Sequence, residues 1–274
     1  MFPTETLFSH DRLALFGFGL FETLLITEIG PLFVDLHWQR MNNGASLLGL
    51  PLPDKHEWVK LVQKFIDENP SPFPYALRVT LSGGSPQTSL PSQILFHQRA
   101  LPYTLAQYTL GIRLHLLSSP RNEHSPLVSI KSTNYLENIL AKEEALLTGA
   151  EEGLWLNTKG YLSEGTMSNL FFIKGETLFT PALASGCLPG TRRQLILDLA
   201  QSLQIPTCQD LYSFSNLLSA DEIFMTNALM GMMPVRQIDE FSFPIAPLGS
   251  KNSRMRRLEL GLNNLIKNAS PTIN

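Results

Sequence analysis

The sequence of 274 residues has little cysteine, little excess charge of either sign and no long apolar run, and each shortage excludes a class of protein. Two cysteines, Cys187 and Cys208, are too few for a disulfide framework or a cysteine-built metal cluster. The 21 basic and 24 acidic residues give a net charge of -3, which provides no footprint for nucleic acid or an anionic membrane surface. No window reaches the uninterrupted apolar length of a spanning helix. From the charge and the hydropathy together, neither nucleic acid nor a membrane is an expected partner.

The composition is that of a folded protein, because 43% of residues are hydrophobic and only 16% are charged. The six histidines have no metal-ligand spacing, and no Gly-x-Ser-x-Gly elbow is present, so neither a metal site nor a hydrolase triad is expected. The segment Met1–Thr6 lacks the basic and apolar regions of a signal peptide, and we therefore expect a cytoplasmic location. The classes of protein that remain after these exclusions are an enzyme and a binding protein for small molecules.

Strand-like and helix-like segments alternate irregularly along the chain and include antiparallel hairpins. This pattern predicts an α+β fold in two parts rather than a doubly wound sheet. The most linker-like segment is Ser119–Pro126, which divides the chain into a smaller domain, residues 1–118, and a larger one, residues 119–274. Helices are predicted over Asp35–Leu48, with Asp35 as the N-cap, and over Thr191–Leu203.

Lys131 is the most informative single residue. It follows a predicted strand, Leu127–Ile130, and directly precedes a predicted helix start at Ser132–Asn134. Desolvation and the positive end of the helix dipole would both favour the uncharged, nucleophilic amine. Position alone leaves open the alternative that Lys131 extends from a strand end into solvent.

Three other positions have a functional and a plain structural interpretation. Gly190-Thr191-Arg192 opens a predicted helix, where backbone N–H groups, a hydroxyl and a cation could bind an anion, or where the helix is simply capped. Arg40 could clamp a phosphate or lie solvated on the surface. Glu164 could meet a ring nitrogen of a ligand or be an ordinary turn residue.

The segment Gly17–Glu22 nearly matches a dinucleotide fingerprint, but Glu22 occupies the third glycine position, so a nucleotide site is not expected.

Five motifs in chain order together resemble the class IV family of pyridoxal-phosphate enzymes, which contains branched-chain and D-amino-acid aminotransferases and aminodeoxychorismate lyases. The motifs are Phe16–Thr23, His37–Met41, Ile130–Leu136, Leu162–Phe171, and Thr180-Pro181 with Leu188–Arg193. The resemblance covers most of the chain. It implies the two-domain class IV aminotransferase-like fold with the cofactor, pyridoxal 5′-phosphate, between the domains, and it implies a homodimer.

The resemblance also implies roles for individual residues. Lys131 is the catalytic residue, which binds the cofactor covalently and then transfers protons. Glu164 binds the pyridine nitrogen and keeps it protonated, so that the ring remains an electron sink. Arg40 binds the cofactor phosphate, together with Thr191 and Arg192 at a helix N-terminus.

Two departures from the aminotransferase pattern favour the lyase branch of the family. Aminotransferases of this class usually have a Gly-Thr pair where Asn227 and Ala228 stand, so Asn227 is expected to contact cofactor and substrate. Backbone N–H groups near Ala228 and Leu229 would replace the threonine hydroxyl, and Phe21 would line the substrate site. Members often have an arginine where Leu81 stands, so the group that binds the substrate carboxylate is left open.

The resemblance therefore implies conversion of aminodeoxychorismate to 4-aminobenzoate and pyruvate, a step of folate synthesis. The alternative within the family is an aminotransferase for branched-chain or D-amino acids. A member that binds the cofactor without turnover is a third possibility, and the presence of Lys131, Glu164 and Arg40 together argues against it.

Overall fold

The computed structural model describes residues 10–87 and 89–268, and its contacts divide them into two compact units. The first unit contains residues 10–101 and Ile130–Tyr135, and the second contains Pro102–Ser129 and Leu136–Asn268. Met1–Thr6, on which the expected location rests, lies outside the described residues. Among the helices of the described chain, none is both long and apolar enough to cross a bilayer.

The described part of the first unit has one antiparallel sheet with the strand order β2-β1-β3-β4. Its elements are α1 (Arg12–Phe16), β1 (Gly19–Thr27), β2 (Gly30–Pro31), α2 (Val34–Leu48), α3 (Lys55–Glu68), β3 (Tyr75–Ser82) and β4 (Ile94–Ala100). On β1 every second residue enters the core, where Leu20 and Leu24 join Trp58 of α3. The helix predicted over Asp35–Leu48 is α2, but Asp35 is not its N-cap. Phe33, in a left-handed conformation with φ 53°, precedes the helix.

The described part of the second unit has a nine-stranded sheet, in which β10-β9-β8-β11-β12-β5-β6-β7 are neighbours and β13 pairs with β12. Its elements are α4 (Leu105–Leu110), β5 (Ile112–Leu116), α5 (Leu136–Leu147), β6 (Glu152–Leu156), β7 (Leu162–Gly165), β8 (Asn169–Lys174), β9 (Thr177–Pro181), α6 (Thr191–Ser202), β10 (Thr207–Asp210), α7 (Phe214–Leu218), β11 (Glu222–Asn227), β12 (Gly231–Ile238), β13 (Phe241–Ser242) and α8 (Arg254–Asn268). Glu164 of β7 pairs with Asn169 of β8, which closes a ring of six strands.

The division between the units differs from the boundary expected after residue 118. Strand β5 pairs in parallel with both β12 and β6, so Ile112–Leu116 belongs to the second unit and not to the first. Lys131 was expected in the larger C-terminal part, but Ile130–Tyr135 groups with the first unit. Sequence composition locates a polar linker, whereas these assignments depend on strand pairing between residues far apart in the chain.

The local structure around Lys131 also differs from the sequence prediction. Pro126–Ser129 forms a turn of 3₁₀ helix rather than a strand, since proline suits the first turn of a helix and the Ser125 hydroxyl accepts from the Leu127 N–H at 3.3 Å. Helix α5 begins at Leu136, five residues after Lys131, so the helix dipole does not act on the lysine as expected.

Candidate functional site

Lys131 lies beside strand β1 of the first unit. The Phe21 N–H donates to the Lys131 carbonyl at 2.9 Å, and the Thr133 N–H donates to the Gly19 carbonyl at 2.9 Å. The Lys131 ammonium nitrogen Nζ is 4.4 Å from the centre of the Phe21 ring and 5.8 Å from that of Tyr135. Backbone pairing therefore fixes the position of the lysine, and two aromatic rings flank its side chain.

A second cation faces the same ring. Arg78 lies on β3 opposite Thr23, on the sheet face that also carries Phe21, and its guanidinium carbon is 3.6 Å from the Phe21 ring centre. Burial lowers the pKa of Arg78, the Tyr135 phenolate would raise it, and the nearby charge of Arg99 lowers it further. The first unit thus presents two cations, Arg78 and Lys131, close to the ring of Phe21.

Arg40 is held by a carboxylate on the opposite face of β1. Its Nε donates to Glu22 Oε1 and its Nη2 to Glu22 Oε2, both at 2.7 Å. His37, one turn earlier on α2, lies with Nδ1 2.6 Å from Glu22 Oε2. Burial alone would raise the pKa of Glu22, but the charges of Arg40 and His37 reverse this effect and leave a pKa of about 2. Glu22 is therefore a buried anion that fixes the plane of the Arg40 guanidinium.

The sequence analysis missed Glu22 and His37 as parts of this site. A usable signal was present, because Glu22 alternates with Leu20 and Leu24 on the buried face of a strand, where a charge needs a partner. His37 and Arg40 are three residues apart on α2 and can meet the same carboxylate.

Helix α2 also approaches the segment that carries Lys131. A side chain at Gly44 would place its Cβ 3.0 Å from the Leu20 methyl groups and 3.6 Å from the Ile130 side chain. Arg40 precedes Gly44 by four residues and so lies on the same side of the helix. The first unit therefore brings Arg40 and Lys131 to one end of β1.

Glu164 lies in the second unit and is 5% exposed. Its Oε2 accepts from the Leu188 backbone N–H at 2.9 Å and from Asn169 Nδ2 at 3.4 Å. Its Oε1 is 3.5 Å from Nη2 of Arg121, a buried residue that the sequence analysis did not select. Glu164 is thus a buried carboxylate of strand β7 with donors around it, and not the turn residue of the alternative interpretation.

Helix α6 begins at Thr191, as predicted, with Gly190 at the N-cap. Arg192 is 3% exposed, and its Nη2 donates to the Ala228 carbonyl at 2.9 Å. Burial lowers the pKa of Arg192 to about 10, against a smaller opposing effect of Tyr108. The start of α6 and the segment at Ala228 are therefore joined through a buried cation.

Asn227 is occupied by contacts within the protein. Its Nδ2 donates to the Tyr103 hydroxyl at 2.9 Å and to the Met167 carbonyl at 3.1 Å. Its Oδ1 accepts from the Leu229 and Met230 N–H groups at 2.9 and 2.8 Å. The Leu229 N–H, expected to face a phosphate, is therefore used inside the turn, and Asn227 supports the β11–β12 connection.

Cys187 is buried, and burial raises the pKa of its thiol to about 11, with a further contribution from the charge of Glu164. A buried thiol of this kind is unreactive. In residues 10–87 and 89–268, no three His, Cys, Asp or Glu side chains are grouped as a metal ion would need.

The predicted site residues therefore form two groups, one in each unit. The first unit contains Phe21, Arg40 and Lys131. The second contains Glu164, Thr191, Arg192, Asn227 and Ala228.

Comparison with known proteins identifies the family and the fold. The family model for amino-transferase class IV matches residues 19–238. An aminodeoxychorismate lyase of Bacillus subtilis is 29% identical over 242 residues, 85% of this chain and 82% of the relative. The structure of 4-amino-4-deoxychorismate lyase from Pseudomonas aeruginosa superposes with a TM-score of 0.83 at 26% identity, covering 97% and 96% of the two chains. A branched-chain amino acid aminotransferase of Escherichia coli gives 0.86 at 25% identity, covering 95% and 90%.

Proposed function

This chain belongs to the amino-transferase class IV family, and we propose that within it the protein is an aminodeoxychorismate lyase that depends on pyridoxal 5′-phosphate. The reaction converts one substrate into 4-aminobenzoate and pyruvate. The observation that carries the cofactor dependence is the buried Glu164 carboxylate, held by donors in the same unit as the glycine-capped start of α6.

The donor groups of the second unit fit this cofactor. Gly190 brings no side chain to the N-terminus of α6, and a Cβ there would lie 1.9 Å from Asn169 Oδ1, so only glycine leaves this approach open. The first-turn N–H groups and Arg192 suit a phosphate dianion. Glu164, a buried anion, suits a protonated ring nitrogen.

Thr191, Arg192 and Arg40 would hold the phosphate in this assignment, and Glu164 would accept a hydrogen bond from the ring nitrogen. The bound cofactor supplies an electron sink that stabilises negative charge at the substrate carbon next to nitrogen. Lys131 is the group that the cofactor aldehyde would modify. The rings of Phe21 and Tyr135 lie beside its amine.

In the lyase reaction, Lys131 would remove the proton from the ring carbon that bears the substrate's nitrogen. The electron pair of that C–H bond enters the ring, which becomes aromatic, and the bond between the neighbouring carbon and the ether oxygen breaks. The enolpyruvyl group leaves and takes up one proton to become pyruvate. The Lys131 ammonium can return that proton, so protons balance without a second substrate.

Arg78 is our candidate for binding a substrate carboxylate. Leu81 removes the arginine that the family pattern places later in the same strand, but Arg78 lies on the Phe21 face of the sheet beside Lys131. A guanidinium there can bind a carboxylate through two parallel hydrogen bonds.

The choice of lyase over aminotransferase rests on Asn227 and Ala228. The Asn227 side chain uses both amide protons and its oxygen to brace the turn, and Ala228 has no hydroxyl to offer a phosphate. A branched-chain or D-amino-acid aminotransferase with the same lysine is the second candidate, favoured by the TM-score of 0.86 to a branched-chain enzyme.

Product analysis separates the two candidates. A lyase needs one substrate only, whereas a transaminase needs an amino donor and a keto acceptor. We expect aminodeoxychorismate alone to give pyruvate and 4-aminobenzoate in equal amounts, and branched-chain or D-amino acids with 2-oxoglutarate to give little glutamate. Efficient glutamate formation without pyruvate from aminodeoxychorismate would favour the aminotransferase instead.

We further propose that the protein is a homodimer. Helix α5 exposes a row of apolar side chains at helical spacing, and such a row supports an interface with a second copy. The row consists of Leu136, Ile139, Leu140 and Leu147, which are between 44% and 89% exposed. Sedimentation of the purified protein tests this proposal, and a monomer at micromolar concentration would contradict it.

A further inference from the structure

Arg121 stands between two carboxylates of the second unit. It is 8% exposed, its Nη1 is 2.5 Å from Glu137 Oε2, and its Nη2 is 3.5 Å from Glu164 Oε1. The two partners differ, because the Glu137 side chain is 56% exposed and that of Glu164 only 6%. Glu137 can be solvated by water, whereas Glu164 depends on protein groups to compensate its charge.

Contacts of both the backbone and the side chain of Arg121 determine where its guanidinium lies. Its backbone N–H donates to the Leu156 carbonyl at 2.8 Å, which attaches it to the end of β6. Its guanidinium carbon is 4.6 Å from the ring centre of Trp155, which is fully buried. Because the backbone hydrogen bond and the Trp155 ring both hold the residue, Nη2 has a fixed location beside Glu164.

The two oxygens of Glu164 have separate partners. Oε2 accepts from the Leu188 N–H and Asn169, and Oε1 faces Arg121. A buried carboxylate next to a buried guanidinium remains ionised, and donors on both oxygens fix the plane of the group. A ring-nitrogen partner needs both properties, because only the anion holds a proton on that nitrogen.

We propose that Arg121 is a positioning residue, which keeps the Glu164 carboxylate ionised and oriented for the ring nitrogen of the cofactor. The inference rests on the proposed function, since it assigns that nitrogen to Glu164. A role in packing alone is the competing explanation, because the side chain also covers Trp155. The positioning role requires the charge at position 121, whereas the packing role requires only the size of the side chain.

Binding to the apoprotein tests the inference without an activity assay. We would measure dissociation constants for pyridoxal 5′-phosphate and for its analogue with carbon in place of the ring nitrogen. The ratio of the two constants reports the contact to the ring nitrogen, because the phosphate and aldehyde contacts are common to both. The wild type should prefer the cofactor roughly tenfold or more, as a lost charge-assisted hydrogen bond implies.

Arg121→Met keeps a long side chain against Trp155 but removes the charge, and the preference should fall to about threefold or less, as in Glu164→Gln. Arg121→Lys keeps the charge and should keep most of the preference. Glu137→Gln is the matched control, which changes the other partner of Arg121 and should leave the preference unchanged. Thermal melting of each apoprotein measures folding, and Arg121→Gln replaces Arg121→Met if the latter does not fold.

The possible results distinguish the inference from its premise. If Arg121→Met keeps the full preference of the wild type, or if Glu137→Gln loses as much, Arg121 does not act through Glu164 and the inference is overturned. If the wild type itself shows no preference for the cofactor over the analogue, the assignment of Glu164 to the ring nitrogen is wrong, and the inference about Arg121 is wrong as well. A preference that depends on the charge at position 121 supports both the inference about Arg121 and the assignment of Glu164 to the ring nitrogen.

Discussion

Arg40 and Glu22 form a bidentate ion pair in which both hydrogen bonds measure 2.7 Å and the carboxylate has no exposed surface. The pair connects α2 to β1, so the arginine predicted to bind a phosphate also neutralises a buried charge. The proposed phosphate contact and the stability of the fold would consequently depend on one residue, and the first two predictions concern this pair.

Acid should weaken the protein through Glu22. Its folded pKa of about 2 lies below the ordinary value of 4.5, so its contribution to stability is complete above pH 4.5 and is lost as the pH falls toward 2. The shift corresponds to stability on the order of 3 kcal/mol. Urea unfolding at pH 6 and pH 3 should show a smaller loss for Glu22→Gln than for the wild type. Equal losses in the two proteins would contradict the assignment.

Arg40→Ala should reduce the free energy of unfolding by about 3–5 kcal/mol, because Glu22 is left as a buried charge without its main partner. Affinity for pyridoxal 5′-phosphate should fall as well. The double variant Glu22→Gln/Arg40→Met separates these effects, since it removes both charges. It should recover much of the stability, measured by urea unfolding, without recovering the affinity. Recovered affinity would show that Arg40 does not bind the phosphate.

Lys131 should be the residue that reacts with the cofactor aldehyde. Protein incubated with pyridoxal 5′-phosphate should be yellow, and borohydride reduction followed by peptide mapping should find the label at position 131. Lys142 is a control lysine, since its Nζ contacts the Glu151 carbonyl and Glu152 in the second unit. A label on another lysine, or none with excess cofactor, would remove the basis of the proposed mechanism.

Arg78→Leu should raise the KM for aminodeoxychorismate, because a substrate carboxylate would lose a bidentate partner. The expected cost of about 1.5–3 kcal/mol corresponds to a KM roughly ten to a hundred times higher. Affinity for the cofactor should hardly change. Arg99→Leu is the matched control on the neighbouring strand, which places its arginine opposite Ala76. A KM that remains at the wild-type value in Arg78→Leu would leave the carboxylate without an assigned partner.

The part of the site that the sequence predicted consists of local motifs. Gly190 precedes α6, and Glu164 is the penultimate residue of β7, since a glycine before a helical pattern and a carboxylate near a strand end are visible within a few residues. The contacts of Arg121 with Glu164 and of Glu22 with Arg40 join residues 43 and 18 positions apart. Such contacts follow from packing and not from a motif.

The prediction around Lys131 was wrong in its structural premise although the residue remains the candidate. The four-residue segment Leu127–Ile130, with three apolar residues, reads equally as a strand or as a helical turn, and Pro126 favours the turn. What holds Lys131 is its pairing with β1, more than a hundred residues earlier in the chain. Periodicity within a short window contains no information on such a pairing.

The chain leaves the first unit after Leu101, returns for Ile130–Tyr135 and leaves it again. During synthesis on the ribosome, residues 10–101 therefore emerge well before the six residues that complete their unit, including the lysine. A fragment that ends at Leu101 would lack the strand-like partner of Gly19 and Phe21. Neither unit can be produced as one uninterrupted segment, so genetic dissection of the protein has to keep both in a single polypeptide.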